Sequence, residues 1–272
     1  MVSSISQKQS TEQKKELYKL PKYYHIAFLR DTDTEIKFYE SVFKKHVPFK
    51  VERLLEPACG TGVYLIEFPK YGYNIVGYDL SQDMVDYSNM LIKESHMEDQ
   101  AKAVQGNMVD FVSEQKFDCA FICLNSIGYL RKDEDIISHF KHTAQVLKKG
   151  GLYVIDMSFM CNDFSKEKKE DETWESEYEN VKVIGTWQIY KYSVPERTRH
   201  VKLTMKVQDG DNYFEFEELH DLRLWLFEEF LEFAKKGGFE LVDMYDENFQ
   251  PFAKREGICG EDSFLYMVLQ KK

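Results

Sequence analysis

No apolar run in this chain approaches the roughly 20 residues that a membrane-crossing helix needs, so a soluble protein is expected. Cysteine is scarce. The five, Cys59, Cys119, Cys123, Cys161 and Cys259, are odd in number and form no Cys-x-x-Cys pair, which points away from a disulfide framework and from a zinc site. No metal is expected, and a reducing cytoplasm fits. Positive charge is also short: 36 Lys and Arg face 47 Asp and Glu, a net charge of −11. Nucleic-acid affinity rests largely on Lys and Arg neutralising phosphates, and here the basic runs are only pairs such as Lys148-Lys149. A nucleic-acid partner is therefore not expected. Residues 1–16 hold no apolar segment, which reads as a disordered tail rather than a signal peptide.

The stretch that stands out is Leu54-Leu55-Glu56-Pro57-Ala58-Cys59-Gly60-Thr61-Gly62, an apolar strand running into a glycine turn. Closely spaced glycines after a strand let the backbone lie against a ligand where a Cβ would block it. The next apolar run, Asn74 to Tyr78, ends at Asp79, seventeen residues past Gly62. A carboxylate at the tip of the neighbouring parallel strand is placed to accept hydrogen bonds from a ribose diol. Two familiar alternatives fail. The third glycine of a dinucleotide fingerprint is replaced by Leu65, and no Gly-Lys-Ser/Thr follows to reach phosphates. The ligand reads as a nucleoside.

Glu56, Ala58, Cys59, Gly60, Thr61 and Gly62, in that order, resemble the first motif of the class I S-adenosylmethionine-dependent methyltransferases. The resemblance runs from about Tyr23 to Leu269. It implies an α/β fold, a Rossmann-like doubly wound seven-stranded sheet with an inserted small antiparallel β-sheet, and S-adenosyl-L-methionine as cofactor. It implies roles as well. Tyr23 or Tyr24, in a Tyr-Tyr segment before the first strand, would close over the methionine end. Asp79 would hold the ribose, with Leu80 beside it, and Met84 would cover one adenine face. Asn107, next to Met108, stands where the family usually has Asp; its amide oxygen still accepts from the adenine amine. Leu124 and Asn125 end the apolar strand Phe117 to Leu124 and would face the methyl donor. His25 is given no role.

Elsewhere the pattern predicts helices over Glu35–Lys45, Val63–Phe68, Ser81–Ile92 and Asp133–Leu147, the last closed by Lys148-Lys149-Gly150-Gly151. His139 and His142 on that last helix read as surface or packing residues. The charged run Lys166–Glu172 reads as a solvated loop. Three strand-like runs follow, 181–192, 199–208 and 213–224, with Asp209-Gly210-Asp211-Asn212 as a hairpin signal. The expected organisation is a tail at 1–16, a Rossmann-like domain at 17–160 and 226–272, and an antiparallel lid facing substrate at 161–225. The family's chemistry needs alignment of nucleophile, methyl carbon and leaving sulfur, plus a base where an amine must lose a proton. His220, Tyr24 and Arg223 are the candidates. Glu218 and His220 share a strand face, while Arg223 points the other way if the strand is regular. Trp187, Tyr190 and Trp225 read as core. The favoured activity is methyl transfer to a small-molecule acceptor through an amine nitrogen. A tRNA-modifying methyltransferase and a non-catalytic S-adenosylmethionine-binding protein remain as alternatives, and oligomeric state is not legible.

Overall fold

The computed structural model describes residues 19–159, 171–193, 195–252 and 263–272. The expected tail at 1–16, most of the charged run from Lys166, and Cys161 and Cys259 lie outside these residues. A short helix, α1 (Pro21–Ala27), leads into α2 (Asp33–His46), which buries Ile36, Tyr39 and Phe43 with Phe38 and Val42. The strands β1 (Arg53–Pro57), β2 (Asn74–Asp79), β3 (Ala101–Gln105), β4 (Phe117–Ile122) and β5 (Leu147–Phe159) alternate with α3 (Val63–Glu67), α4 (Gln82–Glu94) and α5 (Asp133–Val146). After the second sheet come α6 (Phe227–Lys236), β10 (Phe239–Asp246) and β11 (Ser263–Lys271). These strands form a seven-stranded sheet in the order β10-β11-β5-β4-β1-β2-β3. β1 to β5 run parallel, whereas β11 is antiparallel to both β5 and β10. Helices on both faces explain why β4, Phe117–Ile122, is buried at every position.

Three local expectations change. The last turn of α5 is not closed by Lys148–Gly151: Leu147 takes an extended backbone (ψ 152°) and pairs with Phe117, so this segment opens β5. Gly151 is there because a Cβ would stand 2.3 Å from the Asp118 carbonyl oxygen. The helix after the glycine turn ends at Glu67, and Phe68–Tyr71 tightens into a 3₁₀ turn that holds Pro69. Finally, Asp171 and Glu172 are not loop but the start of β6 (Asp171–Tyr178). That strand pairs with β7 at a sheet edge, where charged side chains remain solvated.

The second sheet is antiparallel with the order β6-β7-β8-β9, adding β7 (Val181–Ser193), β8 (Thr198–Asp209) and β9 (Asn212–Arg223). Asp209 faces Asn212 across the two-residue turn Gly210-Asp211, with Gly210 at φ 56°. One face of this sheet is apolar. Val181, Val183, Leu203, Met205 and Phe216 pack onto Ile26 and Ala27 of α1. The Trp174 Nε1–H donates to the Ala27 carbonyl at 2.7 Å, and the Tyr23 hydroxyl donates to Asp209 at 3.0 Å. Helix α1 is therefore strapped to the small sheet while its His25 Nδ1 lies 3.1 Å from Thr61 Oγ1 in the glycine turn. It joins the two sheets.

Candidate active site

The tips of β1, β2 and β4 meet at one end of the large sheet, and their backbones are bent sharply there. Ala58, Gly60 and Gly62 have φ of 52°, 53° and 73°, a left-handed conformation that glycine adopts without strain. At Gly62 there is a second reason: a Cβ would stand 2.8 Å from Ser88 Oγ. Asp79 ties this turn to β2, its carboxylate accepting from the Gly60 N–H at 3.0 Å and the Ser81 N–H at 2.9 Å. Burial pushes the Asp79 carboxyl above its ordinary value, against those backbone bonds. Ser81 in turn caps α4 by accepting from the Met84 N–H.

The tip of β4 is held the same way by a residue that sequence reading passed over. Leu124 and Asn125 both have positive φ, 57° and 54°. Their N–H groups donate to the two carboxylate oxygens of Asp156, at 3.0 and 2.9 Å. This buried clamp over-determines a strained corner. Burial raises the Asp156 carboxyl to about 6. Nothing in the run Leu152–Met157 distinguishes this Asp from a strand-end acid, because its partners sit on another strand.

Between these tips and the small sheet lies a cavity of about 530 Å³, within the usual range for small-molecule sites. The large sheet lines it with Ala58, Gly60, Asp79, Leu80, Met84, Asn107, Met108 and Leu124, and α1 contributes Tyr24. The small sheet brings His220, Leu203 and Trp187. Trp187, expected to be core, instead forms cavity wall and stacks on the His220 ring (centroids 5.6 Å apart, 18° between planes). Trp225 does stay in the core, fully buried. Ser126 and Tyr129, in the segment after Leu124 that was expected to face the methyl donor, also line the space, as does Phe28, though none was singled out as a site residue. The Tyr129 hydroxyl lies 2.9 Å from His220 Nδ1. Burial lowers the affinity of His220 for a proton.

Several other expected residues do not line the cavity. Cys59, Thr61 and Gly62 shape the turn, and Tyr23 faces Phe214 and Phe216 on the small sheet rather than the cavity. Asn125 uses its amide oxygen on the Ser158 N–H at 3.3 Å. Asn107 spends one lone pair on the Val109 N–H at 2.9 Å and keeps another. Arg223 is a correction. The pairing of β8 with β9 is unbroken to Thr198–Arg223, so alternation carries Arg223 to the opposite face from His220. There its guanidinium pairs with Asp133 at 2.7 Å and lies 4.6 Å from the Trp225 ring centroid. Glu56 is 4% exposed, and its Oε2 has no hydrogen-bond partner among the described residues. Burial pushes its carboxyl far above the ordinary range. His139 is fully buried between the Met108 carbonyl (2.9 Å) and the Tyr153 hydroxyl (2.8 Å), a packing residue that steadies the loop after β3.

Known proteins are similar to this chain in sequence and in fold. The family described as "Methyltransferase domain" matches residues 54–151. YqeM of Bacillus subtilis (strain 168), which carries a methyltransferase name, is 30% identical over 192 residues, spanning 70% of this chain and 74% of that protein. The dTDP-3-amino-3,4,6-trideoxy-alpha-D-glucopyranose N,N-dimethyltransferase of Streptomyces venezuelae is 31% identical over 133 residues, 49% of this chain and 53% of that one. In three dimensions the chain resembles an S-adenosylmethionine-dependent methyltransferase from Clostridium acetobutylicum ATCC 824, with a TM-score of 0.73 at 18% identity, covering 94% of this chain and 99% of that one. With the glycine turn, the Asp79 tip and these relatives together, the chain belongs to the class I S-adenosylmethionine-dependent methyltransferases.

Proposed function

We propose that the enzyme methylates the amine nitrogen of a small molecule held between the two sheets, with His220 as proton acceptor. One observation carries this reading: His220 and Trp187 of the small sheet line the same cavity as Gly60 and Asp79 of the large one. The residues fit the cofactor. Asp79 reaches the cavity with lone pairs to spare for the ribose diol, and the buried Glu56 Oε2, which has no hydrogen-bond partner among the described residues, would ionise and accept once a cationic amine such as that of methionine offsets its burial. Met84 and Asn107 flank the adenine end, and Tyr24 and Leu124 the methionine end. S-adenosylmethionine supplies a methyl group on a sulfonium, so little covalent help is asked of the protein.

The chain's own part is to exclude water, orient the amine and take its proton. With Nδ1 engaged by Tyr129, His220 receives the proton on Nε2. Its lowered proton affinity keeps the imidazole neutral at pH 7 and so ready to accept. Arg223 has no part in this step. The small-sheet face turned from the cavity mixes Lys182, Lys202 and Lys206 with Glu175, Glu215 and Glu217, which argues for a small acceptor rather than tRNA. Cys59, Cys119 and Cys123 as free thiols support a cytoplasmic setting.

Transfer of labelled methyl from S-adenosylmethionine to matched amines and alcohols tests the reading. Amines alone should become labelled, and His220→Gln should lower kcat about 100-fold with S-adenosylmethionine affinity unchanged. The log of kcat/KM should rise with pH through an apparent pKa below 6.5 and lose that limb in the variant. Labelling of alcohols alone, or full activity in His220→Gln, would overturn it.

A further inference from the structure

The small sheet presents a row of side chains of which the methyl-transfer reading leaves Glu218 unused. Trp187 of β7 pairs directly with Leu203 of β8, and Leu203 pairs directly with Glu218 of β9. Directly opposed residues in antiparallel strands project to the same face. Trp187 and Leu203 both line the cavity, so the half-buried Glu218 projects to the cavity side as well. The electrostatics agree: the negative charge of Glu218 is among the influences that raise the Tyr24 phenol. Two residues further along β9, His220 shares that face.

The cavity that this row borders is lined by aromatic rings, Trp187 of the row among them. Tyr24, Phe28, Tyr129 and Trp187 all border the cavity. Ring faces attract a cation within about 6 Å, worth roughly 0.5–2 kcal/mol each, and more as water is excluded. The ring faces themselves offer no conventional hydrogen-bond acceptor. A primary ammonium, with three N–H donors, would leave donors unsatisfied there, whereas each N-methyl group replaces a donor with apolar surface that the rings accommodate.

We propose that Tyr24, Tyr129 and Trp187, with Glu218 as counter-charge, form an ammonium subsite that favours amines already carrying alkyl groups. This rests on the amine reading above and deepens it. The enzyme then retains a monomethylated product in the same place as its substrate and suits repeated methylation of one nitrogen.

The test uses choline, a quaternary ammonium, and 3,3-dimethylbutan-1-ol, its neutral carbon isostere, titrated calorimetrically into the full-length enzyme saturated with S-adenosylhomocysteine. Filling the cofactor part of the cavity with a neutral thioether keeps choline out of the sulfonium position. Choline should bind at least tenfold tighter than the isostere. Trp187→Leu should bring the ratio close to one, Glu218→Gln should lower it several-fold, and Trp187→Phe should restore part of it. Unchanged S-adenosylhomocysteine affinity certifies that each variant is folded. Equal binding of the two probes, no choline binding, or a ratio untouched by both Trp187→Leu and Glu218→Gln would overturn the subsite. These outcomes are separable from the amine reading, which stands or falls on what becomes labelled.

Discussion

The two sheets reach one cavity by different physics. The large sheet offers mostly backbone: the left-handed turn at Ala58, Gly60 and Gly62, and the strained tip at Leu124 and Asn125, with Asp79 and Asp156 fixing N–H groups in place. The small sheet offers side chains, Trp187, Leu203 and His220, projected from strands whose backbones are spent on ordinary ladders. A backbone site tolerates little substitution, because changing φ or adding a Cβ moves the recognition groups themselves. A side-chain site is replaceable residue by residue. On the proposed function, the cofactor half is therefore rigid by construction, and the acceptor half is where specificity can change without refolding.

The sharpest way to break this contrast is Gly62→Val. The new Cβ would stand 2.8 Å from Ser88 Oγ at a φ of 73° that a β-branched residue resists. The turn must shift, and S-adenosylmethionine affinity should fall by more than about 100-fold, the equivalent of roughly 3 kcal/mol of strain and lost contacts. Calorimetric titration measures it. Retained affinity would mean that the turn backbone is not the recognition surface.

A second experiment probes the buried ionisable groups that brace the large sheet. His139 is lowered to about 4 by burial, so between pH 6.5 and 4 the unfolded chain takes up a proton that the native state refuses; this contribution loses stability as pH falls. Asp156 is raised to about 6 by burial, so the native state binds a proton first; its contribution gains stability as pH falls through the same window. Each shift corresponds to roughly 3 kcal/mol, so the two nearly cancel. Chemical denaturation at pH 6.5 and 4.5 should therefore show opposite tilts relative to the parent: His139→Gln gains relative stability at the lower pH, and Asp156→Asn loses it. Tilts of the same sign would show that the groups are not independent.

What could be read in advance follows the same division. The glycine turn, the strand ending at Asp79 and the helix from Ser81 are local: each depends on residues within one turn, strand or helix, and each is found where expected. The small-sheet strands were legible as strands because β-branched and aromatic residues alternate around a Gly turn. Their cavity row was not. Which residue stands opposite Leu203 depends on the turn at Gly210 and on a register shift between Ile189 and Lys191, neither of which composition reveals. The role of Asp156 and the contact of Tyr129 with His220 were invisible for a related reason, since the partners lie 31 to 91 residues away along the chain. Arg223 was misplaced by leaving open a strand irregularity that does not occur.

The smallest expected effects come from α1, which belongs to both halves. Tyr23 donates to Asp209 on the small sheet, whereas His25 meets Thr61 in the glycine turn. Each is a single neutral or singly charged hydrogen bond at a half-exposed position, worth about 1 kcal/mol, so removing either should change affinity only several-fold. The neighbouring Lys22–Asp209 ion pair is too exposed to compensate or to matter greatly. What separates the two substitutions is where the effect appears. Tyr23→Phe loosens the helix from the small sheet and should raise the acceptor KM while leaving S-adenosylmethionine affinity alone. His25→Ala loosens it from the glycine turn and should do the reverse. Steady-state kinetics beside cofactor titration distinguishes them, and if both variants shifted both constants equally, α1 would be one rigid lever and the division between a backbone half and a side-chain half would end at its surface.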